Sequence, residues 1–160
     1  MFVTLIKTEI MKNILLLIIP FWFSIAFAQQ ENKYDEKLAN ELGADEYGMK
    51  TYVFCILKTG SNTTATPEEQ SKLFKGHMEN IIKLSKEGKL SLAGQFMKND
   101  KNYRGIFIFN VSTIEDAKEL VESDPAVQAK IFEAELTLWY CSAALQEVGK
   151  IHEKISKTKF

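Results

Sequence analysis

The spacing of apolar and polar residues predicts four strands and two main helices after residue 50. The sequence TPEE from Thr66 combines a threonine cap, an early proline and a glutamate three residues on, which is a complete capping box. The helix that it begins ends at about Glu87, where Gly88 can take the left-handed conformation. A second capping box at Ser112 begins a helix to about Glu122. Strand-forming residues, alternating in most segments, predict strands at Thr51–Lys58, Lys89–Phe96, Tyr103–Val111 and Ile131–Cys141.

This order, β-α-β-β-α-β, is that of the ferredoxin-like fold in the α+β class, with a four-stranded antiparallel sheet and both main helices on one face. Alternation in strand four separates two sets of side chains. The set expected to pack on the helices is Phe132, Ala134, Leu136, Leu138 and Tyr140. The opposite set is polar but includes Trp139, which makes this residue a candidate substrate contact. Such a mixed face fits a dimer interface or a ligand cavity, and plain exposure to solvent is the alternative.

Shorter segments flank this domain, which we place at residues 51–141. Residues 29–50 are polar and include one short helix, from about Tyr34 to Leu42, that stops at Gly43. Residues 142–160 form a C-terminal extension with a last amphipathic helix, from about Ser142 to Lys154.

The first 28 residues have the layout of a secretory signal peptide. Lys12 precedes an apolar run from Ile14 to Phe27, and small residues at Ala26 and Ala28 then provide a cleavage site. The run is shorter than the ~20 residues of a usual membrane span, and Pro20 interrupts it. We therefore expect translation to begin at Met11 and the protein to be exported to the periplasm or secreted, without stable membrane insertion after cleavage; an uncleaved anchor is the alternative.

Composition argues against a nucleic-acid partner, and it leaves open whether the two cysteines form a disulfide. The 160 residues carry a net charge of -1 with scattered lysines, so we expect no binding to nucleic acid, which requires a basic stripe. Export permits a disulfide between Cys55 and Cys141, although two small buried thiols are the alternative. No C-x-x-C pair is present to indicate redox catalysis or a zinc site.

Two polar residues stand out among apolar neighbours. His77 falls on the apolar stripe of the first main helix, and Asp124 stands between Ser123 and Pro125 at the start of a short helical turn. Each has an ordinary structural interpretation, His77 as a hydrogen-bonded core residue and Asp124 as a helix cap. Ser123 could donate to a substrate or help to cap the turn.

Three segments resemble the YciI-like (YCII-related) domain: GHMENIIKLSKEGKLSLAGQF, RGIFIFN and SDPAVQAKIFEAELTLW. The resemblance extends from about Tyr52 to Trp139. It implies a dimeric α/β barrel, in which two ferredoxin-like sheets face each other in a homodimer, and an active site built from His77 and Asp124. The wider superfamily includes isomerases and monooxygenases, and the domain family includes proteins that catalyse dehydrochlorination. The signal peptide and the C-terminal extension depart from typical members.

The resulting hypothesis is a small-molecule enzyme that needs no cofactor. Asp124 would fix the tautomer of His77, which would remove a proton from an unknown small substrate in an isomerisation or an elimination. One histidine and one aspartate fall short of the three protein ligands of a usual catalytic zinc, so we predict no metal site. The alternative is a homodimer that binds a small ligand, or serves a structural role, without catalysis.

Overall fold

The computed structural model describes residues 34–158, so the predicted signal peptide lies outside the described residues. The elements are α1 (Glu36–Leu42), β1 (Met49–Thr59), α2 (Pro67–Lys86), β2 (Leu90–Gln95), β3 (Tyr103–Phe109), α3 (Ile114–Glu122), α4 (Pro125–Gln128), β4 (Phe132–Ser142), a 3₁₀ turn (Ala143–Glu147) and α5 (Val148–Ile155). None of the helices in this part of the chain is long and apolar enough to cross a membrane.

The four strands form one antiparallel sheet in the order β2-β3-β1-β4. The α+β class and the ferredoxin-like plan predicted from the sequence are thereby confirmed. The central strand β1 pairs with both neighbours, so that Val53 lies opposite Phe109 on one side and Leu138 on the other. Because side chains alternate along a strand, this register determines which residues share a face.

Local signals explain where the main helices begin and end. The Thr66 side chain accepts from the backbone N–H of Glu69, and the Glu69 carboxylate accepts from the backbone N–H of Thr66, which confirms the predicted capping box. Gly88 follows α2 with φ of 70°, in the left-handed region that favours glycine. In α3 the cap is Thr113 rather than the predicted Ser112, because it is Thr113 whose hydroxyl accepts from the N–H of Asp116.

The hydrophobic core lies between the sheet and the helices on one of its faces. It is centred on Val53, Cys55, Leu57, Leu84, Leu90, Phe107, Phe109, Ala117, Val121, Ala126 and Phe132. In β4, Ala134 and Leu136 pack against this cluster, as predicted. Leu138 and Tyr140 were predicted to do the same, but they are 53% and 52% exposed. Strand β4 is at the edge of the sheet, and the helices that pack on this face do not cover its second half.

The C-terminal extension covers part of the opposite, outer face of the sheet. Tyr52 points to this face, yet it is fully buried, and its hydroxyl lies 3.2 Å from the backbone oxygen of Ser142 and 3.1 Å from that of Ala143. Gln146 donates to the backbone oxygen of Leu42, at 2.7 Å. The extension therefore belongs to the folded domain, and it divides the outer face into a covered part and an open part that includes Trp139.

Candidate functional site

Helix α2 places His77 above the helical face of the sheet, among aromatic rings. The imidazole stacks on Phe107 of β3, with ring centroids 5.8 Å apart, and meets the edge of Phe132 of β4 at 5.2 Å. Its side chain is 12% exposed. The apolar stripe of the sequence thus gave the direction of His77 correctly, and the rings hold the imidazole in one orientation.

Asp124 uses its two carboxylate oxygens for two different purposes. Oδ1 accepts from the backbone N–H of Ala126 at 2.8 Å, so Asp124 is the N-cap of α4, which begins at Pro125. Oδ2 lies 2.6 Å from Nδ1 of His77. A carboxylate oxygen accepts, so this short contact is that of the tautomer in which Nδ1–H is the donor and Oδ2 the acceptor. The structural and the functional interpretations of Asp124 are therefore compatible.

In the neutral imidazole, a proton on Nδ1 leaves Nε2 of His77 as an acceptor. Within the described residues, no protein group forms a hydrogen bond with Nε2. Asp124 is fully buried, so any approach to the pair from solvent must be through the exposed part of the imidazole. The arrangement has the form of a general base oriented by a buried carboxylate.

Two surface grooves flank the pair without including either member. One, of about 530 Å³, lies between α3 and β4, and Phe132 contributes to its lining together with Val121 and Leu136. The other, of about 670 Å³, lies between α2 and α4, and Pro125 contributes to its lining. Phe132 both lines the first groove and contacts the His77 ring. Both volumes are within the usual range for small-molecule sites.

Ser123, a predicted substrate contact, directs its hydroxyl to two oxygen atoms of the protein itself. Its hydroxyl donates to the backbone oxygen of Leu120 at 2.6 Å and lies 3.3 Å from Oδ1 of Asn80. Asn80 is one turn after His77 on α2, so the Asn80–Ser123 contact runs beside the His77–Asp124 bond at the surface. A role of Ser123 in binding stays a prediction.

Trp139, the other predicted substrate contact, lies on the outer face of the sheet. It pairs with Tyr52, whereas the core faces of β1 and β4 carry Cys55 and Leu136. Its ring meets the edge of the Phe54 ring at 5.6 Å and is 37% exposed. The sheet therefore separates Trp139 from His77 of the same chain, and the two residues do not share one site within a protomer.

The cysteines also lie on opposite faces of the sheet. Cys55 is buried on the helical face, whereas Cys141 pairs with Lys50 on the outer face, and both are free thiols. No disulfide joins them, which answers the question that the sequence left open. Burial, and secondarily the Asp124 carboxylate, raises the pKa of the Cys55 thiol to about 12. Cys55 is thus a neutral thiol at physiological pH, and it lacks the thiolate character of a catalytic cysteine.

Metal ligands are not concentrated near the pair. Across residues 34–158, no three side chains of histidine, cysteine, aspartate or glutamate converge as a metal site would require. The chemistry that the arrangement supports is proton transfer by one oriented imidazole.

Several site residues were not predicted from the sequence. Phe107 and Phe132 orient the imidazole, but in the sequence they are ordinary apolar positions of two strands. Asn80 follows His77 by one helical turn, a spacing that places both on one helix face and could have indicated it. Gly76 and Pro125 are next to the two members of the pair, and their contact is visible only in three dimensions.

A comparison with protein-family models finds one match, to the YCII-related domain, over residues 51–139. The match covers more than half of the 160 residues and includes both His77 and Asp124.

A solved structure that resembles this chain is 5-chloro-2-hydroxyhydroquinone dehydrochlorinase from Burkholderia phenoliruptrix AC1100, in complex with 2,5-dihydroxybenzoquinone. The two sequences are 17% identical, the alignment covers 54% of this chain and 90% of that one, and the TM-score is 0.37. A similarity at this level carries no inference about the reaction of this chain. No curated protein matches the sequence.

Proposed function

This chain belongs to the family of YCII-related domains, and from that premise we propose that it is a small-molecule enzyme in which His77 acts as a general base and Asp124 orients it. The observation that supports the proposal most directly is the 2.6 Å contact between His77 Nδ1 and Asp124 Oδ2, which leaves Nε2 available.

In the proposed reaction, Nε2 accepts a proton from an acidic carbon or hydroxyl group of the substrate. The imidazolium that forms is stabilised by the Asp124 carboxylate, and the electron pair of the broken bond stays on the substrate. Return of the proton to another substrate atom gives an isomerisation, and departure of an anionic leaving group gives an elimination. Both outcomes conserve atoms and electrons without a cofactor. General base catalysis contributes about 10²–10⁴-fold to the rate.

The neighbouring thiol does not offer a better nucleophile. Cys55 lies on β1 in the core beneath the pair, and its pKa of about 12, raised first by burial, keeps it protonated. Nucleophilic catalysis by cysteine requires the thiolate, so proton transfer by His77 is the favoured chemistry.

We propose further that the protein works as an exported homodimer. The open part of the outer face includes Trp139, 37% exposed, beside the half-buried Phe54, and this is the kind of surface that a second copy can cover. The export proposal depends on the signal-peptide pattern of residues 11–28. Sedimentation analysis of the mature chain tests the homodimer, and a monomer would refute it. N-terminal sequencing of exported protein tests cleavage of the signal peptide, and a chain that begins at Met11 would refute it.

The central experiment screens the mature protein by thermal shift against small phenols, lactones and halogenated acids, and then measures turnover of each ligand found. His77→Gln should lower turnover by about 10²–10⁴-fold, because it removes the base. His152→Gln is the matched control, since His152 is an exposed residue of α5. Wild-type turnover in the His77→Gln variant would contradict the proposed role.

A second candidate function is a homodimer that binds a ligand without catalysis. It is favoured by the small exposure of His77 and by the capping role of Asp124, which together could serve structure alone. In that case His77→Gln changes the free energy of unfolding, and the ligands that bind are recovered unchanged.

A further inference from the structure

Gly76 occupies the middle of α2, a helix of 20 residues. Glycine weakens a helix interior relative to alanine, because its backbone loses more freedom on folding. Its φ is not in the left-handed region, so the helical backbone does not require glycine at this position. The reason for glycine must therefore be the space around it.

That space is filled by Pro125 of α4. A Cβ atom on residue 76 would lie 3.0 Å from Cγ of Pro125 and 3.4 Å from its Cβ, where ordinary contacts between carbon atoms are ~3.5–4.0 Å. Helices α2 and α4 thus approach each other at a glycine and a proline ring. An alanine here would have to displace one of the two elements by a few tenths of an ångström.

The close approach and the hydrogen bond of the proposed site involve adjacent residues. Gly76 directly precedes His77 on α2, and Pro125 directly follows Asp124 at the start of α4. A displacement between residues 76 and 125 is therefore transmitted to the two atoms that must meet, Nδ1 and Oδ2, which are 2.6 Å apart.

We propose that Gly76 is a positioning residue that sets the spacing of α2 and α4 at which His77 Nδ1 reaches Asp124. The inference rests on the proposed function for its catalytic meaning, whereas the geometry that it explains can be measured without a substrate. The chemical consequence is specific: a longer Nδ1–Oδ2 distance holds the Nδ1 proton less firmly, so the tautomer with a free Nε2 is less well maintained.

The test is nuclear magnetic resonance of the imidazole protons in the mature, ¹⁵N-labelled protein. A strong Nδ1–H···Oδ2 bond gives a low-field Nδ1 proton resonance that exchanges slowly with water and that is lost in His77→Gln. In Gly76→Ala this resonance should shift upfield and exchange faster. Gly149→Ala is the matched control, because a Cβ at Gly149 meets nothing within 4 Å. This control should leave the resonance unchanged.

A rescue variant separates positioning from general damage to the fold. Pro125→Ala removes Cγ and Cδ and leaves 3.4 Å as the closest approach of the new Cβ, so Gly76→Ala/Pro125→Ala should restore the wild-type resonance. If Gly76→Ala does not fold, the resonance of the double variant alone tests the positioning role. A wild-type resonance in Gly76→Ala, a folded double variant that lacks it, or the failure of both to fold would overturn the proposal.

The two proposals fail in different ways. If the resonance responds as expected but His77→Gln retains full turnover of an identified substrate, the positioning role stands and the catalytic role of His77 does not. If Gly76→Ala keeps the wild-type resonance while His77→Gln loses turnover by about 10²–10⁴-fold, the base stands and the positioning role falls.

Discussion

Replacing Asp124 by asparagine and by alanine separates the two tasks of its carboxylate. Alanine removes the acceptor for the Ala126 N–H and the acceptor for His77 together. Asparagine has the same shape and keeps its side-chain oxygen for Ala126, but it then places an amide N–H donor opposite His77. The pair of variants therefore measures the cap and the interaction with the imidazole as separate quantities.

The expected loss of stability can be worked out from the two hydrogen bonds. An N-cap contributes about 1 kcal/mol, and a hydrogen bond that involves a charged group contributes about 1.5–3 kcal/mol. Asp124→Ala should thus lower the free energy of unfolding by about 2.5–4 kcal/mol. Asp124→Asn keeps the cap and one neutral hydrogen bond, worth about 1 kcal/mol each, so it should retain at least ~1 kcal/mol more stability than the alanine variant.

The effect of Asp124→Asn on turnover should be much larger than its effect on stability. In Asp124→Asn the side-chain oxygen of the new residue is held by the Ala126 N–H, so its amide group donates to His77 Nδ1 and forces the imidazole proton onto Nε2. A protonated Nε2 cannot accept from the substrate, so Asp124→Asn should lose about 10²–10⁴-fold in turnover despite its intact fold.

Urea unfolding gives the stabilities, and ¹⁵N chemical shifts of the His77 ring identify the tautomer. Equal unfolding free energies for the asparagine and alanine variants would show that neither the cap nor a neutral hydrogen bond to His77 contributes to stability. A proton that stays on Nδ1 in Asp124→Asn would refute the tautomer argument. Full turnover in that variant would refute the role of Asp124 in orienting a base.

Two further predictions concern groups outside the pair. Tyr52→Phe removes a buried hydroxyl bonded to the extension, so it should lower the free energy of unfolding by about 0.5–1.5 kcal/mol and speed hydrogen exchange at residues 143–147. Tyr47 is exposed, so Tyr47→Phe should have neither effect. Equal exchange rates in the two variants would contradict the prediction. Burial, and secondarily the Asp124 charge, raises the pKa of the Cys55 thiol from 9.0 to about 12. Because the folded protein holds this proton more tightly than the unfolded chain does, the resulting contribution to the free energy of unfolding is fully present below pH 9 and is lost as the pH rises towards 12. The unfolding free energy of the wild type should fall across this window by up to ~1.4 kcal/mol per pH unit more steeply than that of Cys55→Ala, and parallel profiles would refute the assignment.

The sequence predicted the sheet and its helices because their signals are local. The TPEE box at Thr66, the glycine at position 88 and the alternation in the first half of β4 each act within a few residues, and each acts in the fold as expected. The direction of His77 was predictable for the same reason, since helical periodicity alone places it on the covered side of α2.

The errors concern where covering elements end, which local patterns do not encode. Alternation correctly assigns Leu138 and Tyr140 to the same face as Leu136, but it does not tell that the helices cover only the first half of β4. Likewise it assigns Tyr52 to the outer face without indicating that the C-terminal extension folds back over it. Trp139 was proposed as a substrate contact on the basis of residue type, and the register then placed it across the sheet from His77.

The Asp124 carboxylate shows why a structural and a catalytic interpretation of one residue need not compete. A carboxylate has two oxygens, and the backbone N–H of Ala126 binds one of them at 2.8 Å. This bond orients the second oxygen towards His77, so the helix cap itself pre-organises the pair to which we assign proton transfer. It follows that the start of α4 and the approach of α2 at Gly76 act on the same distance from two sides. Substitutions in either element should therefore change the His77 tautomer together with stability, and their effects should not be additive, because they share one hydrogen bond.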